Sequence, residues 1–275
     1  MSGFSPEWLA LREPVDHRSR NAALARQVAD LFKARAGVSV TDLGCGAGSN
    51  IRATFRLLPA TQSWTLVDYD ARLLAVARER LMLWAERVEV TGETLKLEKE
   101  GKRLTVAFRQ ADLTMDLDAA LGAKPDLVTA SALFDLCSAD FIATFAKAVT
   151  ARRAAFYTVL TYNGIQTWTP AHAADAAMAA AFHAHQRTDK GFGASAGPDA
   201  PKALSDAFRA AGANVAEGDS PWVLGGADQR LIDDLSGGFA DAVAEHGAVP
   251  AAMLAAWRAV WHDGAVVGHT DTLAW

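Results

Sequence analysis

Apolar residues recur at three- and four-residue steps through residues 5–35, at Trp8, Leu9 and Leu11 and again at Ala23, Leu24, Val28, Leu31 and Phe32, which predicts helix. A polar stretch, Arg12 to Arg20, lies between the two sets. From 36 to 160 the pattern changes. Short apolar runs suited to strands (Val40–Leu43, Trp64–Asp68, Leu104–Phe108, Asp126–Ser131 and Ala154–Leu160) alternate with helical-period segments at 49–58, 71–86 and 139–148. That alternation predicts a parallel sheet covered by helices on both faces. Between Val88 and Phe108 the period becomes two around Gly101, which predicts a β-hairpin attached to the third strand.

Beyond Tyr162 the alternation breaks. Residues 163–198 hold an Ala-rich helical run, 171–185, and then a Gly-containing polar segment, and this is longer than the ~2–6 residues that usually join strand to helix. It is read as an insertion serving as lid or substrate-recognition element. A helix at 201–211, a strand near 214–224, two helices at about 228–246 and 250–262 and a closing strand, 265–275, complete the chain. The division expected is therefore a helical cap, 1–35, on one α/β domain, 36–275, with insertions at 163–198 and 228–262.

The candidate chemistry begins at Val40-Thr-Asp-Leu-Gly-Cys-Gly-Ala-Gly48. An acidic residue precedes three glycines at alternate positions, where a strand runs into a loop and a helix follows. Glycine is required where the backbone is left-handed or where a Cβ would collide with a neighbour. A dinucleotide fingerprint needs Gly-x-Gly-x-x-Gly or Ala, and its third slot here is Ser49. The spacing disfavours a nicotinamide-dependent oxidoreductase.

Asp42-x-Gly44-x-Gly46-x-Gly48 resembles the glycine motif of class I S-adenosylmethionine-dependent methyltransferases, and later elements follow in that family's order. The resemblance implies a Rossmann-like, seven-stranded, mostly parallel sheet flanked by helices, with the last two strands an antiparallel pair. It also implies S-adenosylmethionine as cofactor and S-adenosylhomocysteine as product. Asp68, 20 residues past Gly48, is in the position that holds the ribose hydroxyls, with Tyr69 beside it; its other reading is a cap on the helix that follows. Asp112 with Leu113 takes the position facing adenine, and Cys45 and Ser131 complete the cofactor set. The fourth strand delivers Leu133-Phe-Asp135 to the edge where methyl transfer occurs in the family. Asp135 is the candidate general base, with a helix cap or loop hydrogen bond as its other reading. Tyr162, ending the fifth strand, is the candidate to stack on the acceptor, or is packing. In many family members an N-terminal helix closes over the cofactor, which nominates Arg12 or Arg18 for the methionine carboxylate, against a solvated helix face. The family's DNA and protein amide methylating members carry Asn or Asp followed by Pro-Pro-Tyr or Phe where this chain has Asp135-Leu, so the expected acceptor is a small molecule with an O, N or C nucleophile.

Composition adjusts this picture in a few places. In 275 residues, 51% apolar and 21% charged, a single sizeable core is expected, and long disordered stretches are not. A net charge of −5 argues against nucleic acid as partner, since phosphate backbones demand a basic footprint. Two cysteines, Cys45 and Cys137, suggest neither disulfide nor zinc, so a cytoplasmic setting is expected; no apolar run reaches the ~20 residues needed to span a bilayer. His183-Ala-His185 invites a metal reading, but residues two apart on a helix point to different sides, and no metal is expected. Trp257 and Trp261, four apart, are read as core. The polar cluster Gln186, Arg187 and Lys190 is the candidate for acceptor recognition, and its cations suggest an anionic acceptor. A binding module that retains the pocket without catalysis is the remaining alternative.

Overall fold

The apolar runs of the middle of the chain form the centre of a ten-stranded sheet flanked by helices. The structure, a computed structural model, describes residues 4–275, so the first three residues of the expected cap lie outside it. In chain order the helices are α1 (Pro6–Ser19), α2 (Ala22–Phe32), α3 (Ser49–Thr54), α4 (Ala71–Trp84), α5 (Leu117–Leu121), α6 (Ala139–Ala151), α7 (Asp175–Gln186), α8 (Ala200–Ala210), α9 (Gln229–His246) and α10 (Ala251–Arg258). The strands are β1 (Gly37–Leu43), β2 (Thr61–Asp68), β3 (Arg87–Thr91), β4 (Thr94–Lys99), β5 (Lys102–Gln110), β6 (Leu127–Ser131), β7 (Ala155–Thr169), β8 (Val215–Asp219), β9 (Trp222–Leu224) and β10 (Gly264–Ala274).

The sheet runs β3-β4-β5-β2-β1-β6-β7-β10-β8, with β9 also on β10. Pairing is parallel from β5 through β7, and β10 is antiparallel to both β7 and β8. The hairpin expected around Gly101 is present, and β3 extends it by one more strand. Strands buried on both faces need apolar residues at successive positions, and β6 supplies Leu127, Val128 and Ala130 to opposite sides. Leu127 joins a cluster with Val38, Val40, Trp64, Leu66 and the inner faces of α2, α3 and α4. Val128 and Ala130 join Leu43, Phe156 and the aromatic stack of α6 and α8, in which Phe156 and Phe208 lie 4.7 Å apart.

Several boundaries differ from the sequence expectation, each for a local reason. α1 continues through the polar stretch and through Pro14, because its polar residues find partners within the helix and on α3 rather than only in solvent. Residues 163–169 belong to β7, whose second half pairs with β10, so the segment read as an insertion begins as an extended strand. The helix expected from 171 starts at Asp175. The strand expected over 214–224 is two strands, β8 and β9, separated at Ser220 and Pro221. Trp257 is buried, its Nε1 donating to Asp175 Oδ1 at 2.7 Å, whereas Trp261 lies past the end of α10 and is 67% exposed. No helix among the described residues is long and apolar enough to cross a membrane.

Candidate functional site

Gly44, Gly46 and Gly48 have φ of 58°, 51° and 74°, a left-handed conformation that a side chain resists. The loop is also tightly enclosed: a Cβ on Gly44 would stand 3.1 Å from Leu133, and one on Gly46 would stand 3.3 Å from Leu9 of α1. The Cys45 N–H donates to the Val67 carbonyl, so the loop is tied to the end of β2. Asp42 is completely buried beneath it. Its Oδ1 accepts from Asn50 Nδ2 at 2.7 Å, while Oδ2 has no partner among the described residues. Burial pushes Asp42 up to about 7, against the lowering effects of the Asn50 bond and the Arg20 charge. Burial likewise raises the thiol of Cys45 well above its ordinary range.

Asp68 ends β2 and points back at the loop: Oδ2 accepts from Gly46 N at 2.8 Å and Oδ1 from Asp70 N at 3.0 Å. The following helix is capped by Asp70, whose Oδ1 accepts from Arg72 N, so the capping reading of Asp68 falls away. Burial raises the Asp68 carboxyl above its usual value, opposed by these two backbone donors. Each carboxylate oxygen has two lone pairs, and the bonds above use one apiece. Tyr69 beside it is 41% exposed. Asp112 is also exposed, its Oδ1 accepting from Thr114 N and Oγ1, and Leu113 next to it is buried. Since Leu43 pairs with Val67 and Ala130, Asp68 with Gln110, and Ser131 with Val159, these residues and Ser131 share the carboxyl edge of the sheet.

Asp135 lies in a single 3₁₀ turn, Phe134–Leu136, just past β6. It caps no helix: α6 is capped by Ser138, whose Oγ accepts from Phe141 N. Asp135 Oδ1 is buried with no partner among the described residues, and burial raises the carboxyl to about 6 despite the nearby Arg12 charge. Tyr162, on β7, lies close enough to feel its charge. Its hydroxyl is 3.0 Å from His183 Nε2 of α7, and its ionisation is pushed up by burial and by the Asp135 charge. Across the strand pair from Tyr162 stands His269, buried, with Nδ1 unpartnered among the described residues; burial and Arg12 depress it to about 3. β7 turns toward this group at Leu160, whose φ of 59° is left-handed; its N–H donates to Asp271 Oδ1, and Asp271 Oδ2 holds Asn21 N, each at 2.8 Å.

The other sequence candidates are engaged elsewhere. Arg12 makes a two-pronged pair with Asp16, at 2.8 and 3.2 Å, and lies 4.9 Å over the Trp222 ring, while Trp222 Nε1 donates to Asp16. Arg18 pairs with Asp228. Arg187 is exposed and pairs with Asp199; Lys190 Nζ is 3.4 Å from His185, which contacts Glu245. Gln186, the last residue of α7, packs against Gly197. Thus His183 turns to the site and His185 away from it, as two-residue spacing on a helix requires. Three residues of this edge escaped the sequence reading, His269, Asp16 and Trp222, and His183 was weighed there only as a metal ligand. For His269 and Trp222 the available signal was a polar or indole group inside an otherwise apolar strand.

The strand order, with β10 inserted antiparallel between β7 and β8 and a glycine loop after β1, defines the class I methyltransferase fold. Among solved structures the chain is similar to the cyclopropane synthase MmaA2 from Mycobacterium tuberculosis, at a TM-score of 0.51 and 12% identity over 99% of this chain and 95% of that one. A cyclopropane-fatty-acyl-phospholipid synthase-like protein from Lactobacillus casei gives 0.52 and 15% over 96% and 99%. The mycolic acid cyclopropane synthase CmaA1, in complex with SAH and CTAB, gives 0.50 and 11% over 92% and 83%. At these identities the likeness is one of fold. No protein-family model matches the chain, and no curated protein does.

Proposed function

We propose that this protein transfers a methyl group from S-adenosylmethionine to a nucleophilic atom of a small molecule. The observation that carries this is the shared edge: a left-handed glycine loop tied to a buried carboxylate, Asp68, with a second carboxylate, Asp135, whose Oδ1 has no partner among the described residues, one strand beyond β1. The site residues fit the cofactor. Asp68 has lone pairs for two vicinal hydroxyls, and the exposed Tyr69 ring stands beside it for a base to pack on. Methyl transfer from a sulfonium is an in-line displacement with a neutral thioether leaving, so orientation supplies much of the acceleration. In this reading Asp135 accepts the acceptor's proton, and Tyr162, held by His183, orients the acceptor.

The test is calorimetry with S-adenosylhomocysteine. Asp68→Ala removes two charge-assisted hydrogen bonds of roughly 1.5–3 kcal/mol each, so affinity should fall at least about tenfold. Unchanged affinity would remove Asp68 from the site, and no binding by the wild type would remove the proposal. Methyl incorporation from labelled cofactor into a metabolite pool then separates an enzyme from a binding module.

A further inference from the structure

The charge inventory of the acceptor edge points to what the acceptor is, given the methyltransferase reading on which this inference rests. Two arginines near that edge are matched by carboxylates. Arg12 is held by both oxygens of Asp16, and Arg187 by Asp199. The two histidines that contact Tyr162, His183 and His269, are both depressed below their ordinary value, His269 to about 3, so they are neutral near pH 7. Asp135 remains. It has no ion-pair partner among the described residues, and its Oδ1 is buried without a hydrogen bond among them. A buried carboxylate oxygen left unsatisfied is costly, and a donor arriving from the substrate removes that cost. Near it stands the Tyr162 ring, with Phe182 6.0 Å away, while the face of Trp222 is already taken by Arg12 at 4.9 Å. Aromatic faces favour cations and exclude carboxylates.

We propose that the acceptor is a small amine, bound as its ammonium ion with a proton directed at Asp135. This replaces the anionic acceptor suggested by Arg187 and Lys190 in the sequence, since Arg187 is paired with Asp199 and Lys190 lies against His185. The chemistry balances. The ammonium gives one proton to the Asp135 carboxylate; the freed nitrogen lone pair forms the N–C bond while the methyl's C–S bond breaks with its electrons left on sulfur. The products are the methylated ammonium, a neutral thioether and a carboxyl proton that passes to water. His183 and His269 accept or donate hydrogen bonds without adding charge, so they do not oppose the arriving cation.

The experiment uses the full chain saturated with S-adenosylhomocysteine at pH 7.5. Matched sets, benzylamine with benzyl alcohol and benzoate, and butylamine with butanol and butyrate, are titrated by thermal shift and calorimetry. At least one amine should bind about tenfold more tightly than its alcohol and carboxylate partners, the discrimination of one charge-assisted hydrogen bond. Asp135→Asn should erase that preference, and Asp135→Glu should retain part of it. A carboxylate preferred over its amine, no amine binding in either set, or an amine preference that survives Asp135→Asn overturns the proposal. Wild-type protein that fails to bind S-adenosylhomocysteine at the outset overturns the methyltransferase reading instead, so the two failures are distinct.

Discussion

Asp135 owes its character to being buried without being neutralised. Desolvation penalises the charged form and raises the carboxyl, its own backbone N–H and the Arg12 charge counteract only part of that, and Oδ1 has no hydrogen-bond partner among the described residues. A carboxyl at about 6 is half-charged close to neutrality, where a general base is effective. The wild-type pH profile of kcat/KM should therefore fall on the acid side through about pH 6. In Asp135→Asn that limb should vanish along with most of the turnover, while S-adenosylhomocysteine affinity stays as in wild type. An acid limb that persists in the variant would place the titrating base elsewhere. Cys137, also buried, is raised by the same desolvation and by the Asp135 charge, so its thiol is not a competing nucleophile at neutral pH.

Among the elements, α1 has the most consequence for the site. Its apolar contacts are few, Val15 in the core with Trp8 and Leu11 against it, and it is a helix because Ser5 caps it, Pro6 suits its first turn, and its polar side chains reach across to other elements. Glu13 pairs with Arg52 of α3, His17 meets Ser49 at the end of the glycine loop, and Asp16 gathers Arg12 and Trp222. Leu9 rests on Gly46. A cover fastened mostly by polar contacts and a few apolar side chains opens at less cost than one fastened by a full core, since fewer apolar contacts must be broken. Asp16→Ala leaves a part-buried guanidinium and an indole N–H without their acceptor, a loss of about 1–3 kcal/mol. Amide hydrogen exchange should then accelerate over residues 8–19 and in β9, with β1 and β6 unchanged; uniform acceleration would mean that α1 is integral to the global fold.

For the molecule as a whole, carboxylates buried in the sheet set the response to pH. Asp42 titrates at about 7 in the folded chain against an ordinary 3.8. Its proton therefore stabilises the fold fully below about pH 4, and that contribution is lost as pH rises through about 7. His269 works in the opposite sense: depressed to about 3, it contributes stability above 6.5 that is lost as pH falls toward 3. Replacing Asp42 with Asn keeps an acceptor for Asn50 and removes the titration. The melting temperature of Asp42→Asn relative to wild type should consequently rise from pH 5 to pH 8. A difference that is flat across this range would show that Asp42 does not change its proton there.

What could be read along the chain was whatever depends on local periodicity and on motif order. The alternation of strand and helix over 36–160, the hairpin at Gly101 and the positions of Gly44, Asp68, Asp112 and Asp135 at strand ends follow from spacing, because each is set within a few residues. The partners of those groups do not. His183 meets Tyr162 from 21 residues away, Trp222 meets Asp16 from 206, and Asp271 holds Leu160 from 111. Such contacts exist only once β10 is inserted between β7 and β8 and α1 is laid over the loop. Arg12 finds Asp16 four residues on in the same helix, a spacing the sequence already offered, but Arg18 and Arg187 could not be known as matched until folding set Asp228 and Asp199 beside them. Local periodicity determines which elements form. Long-range packing decides which charges stay unpaired at the edge they share, and with them the chemistry that edge is able to perform.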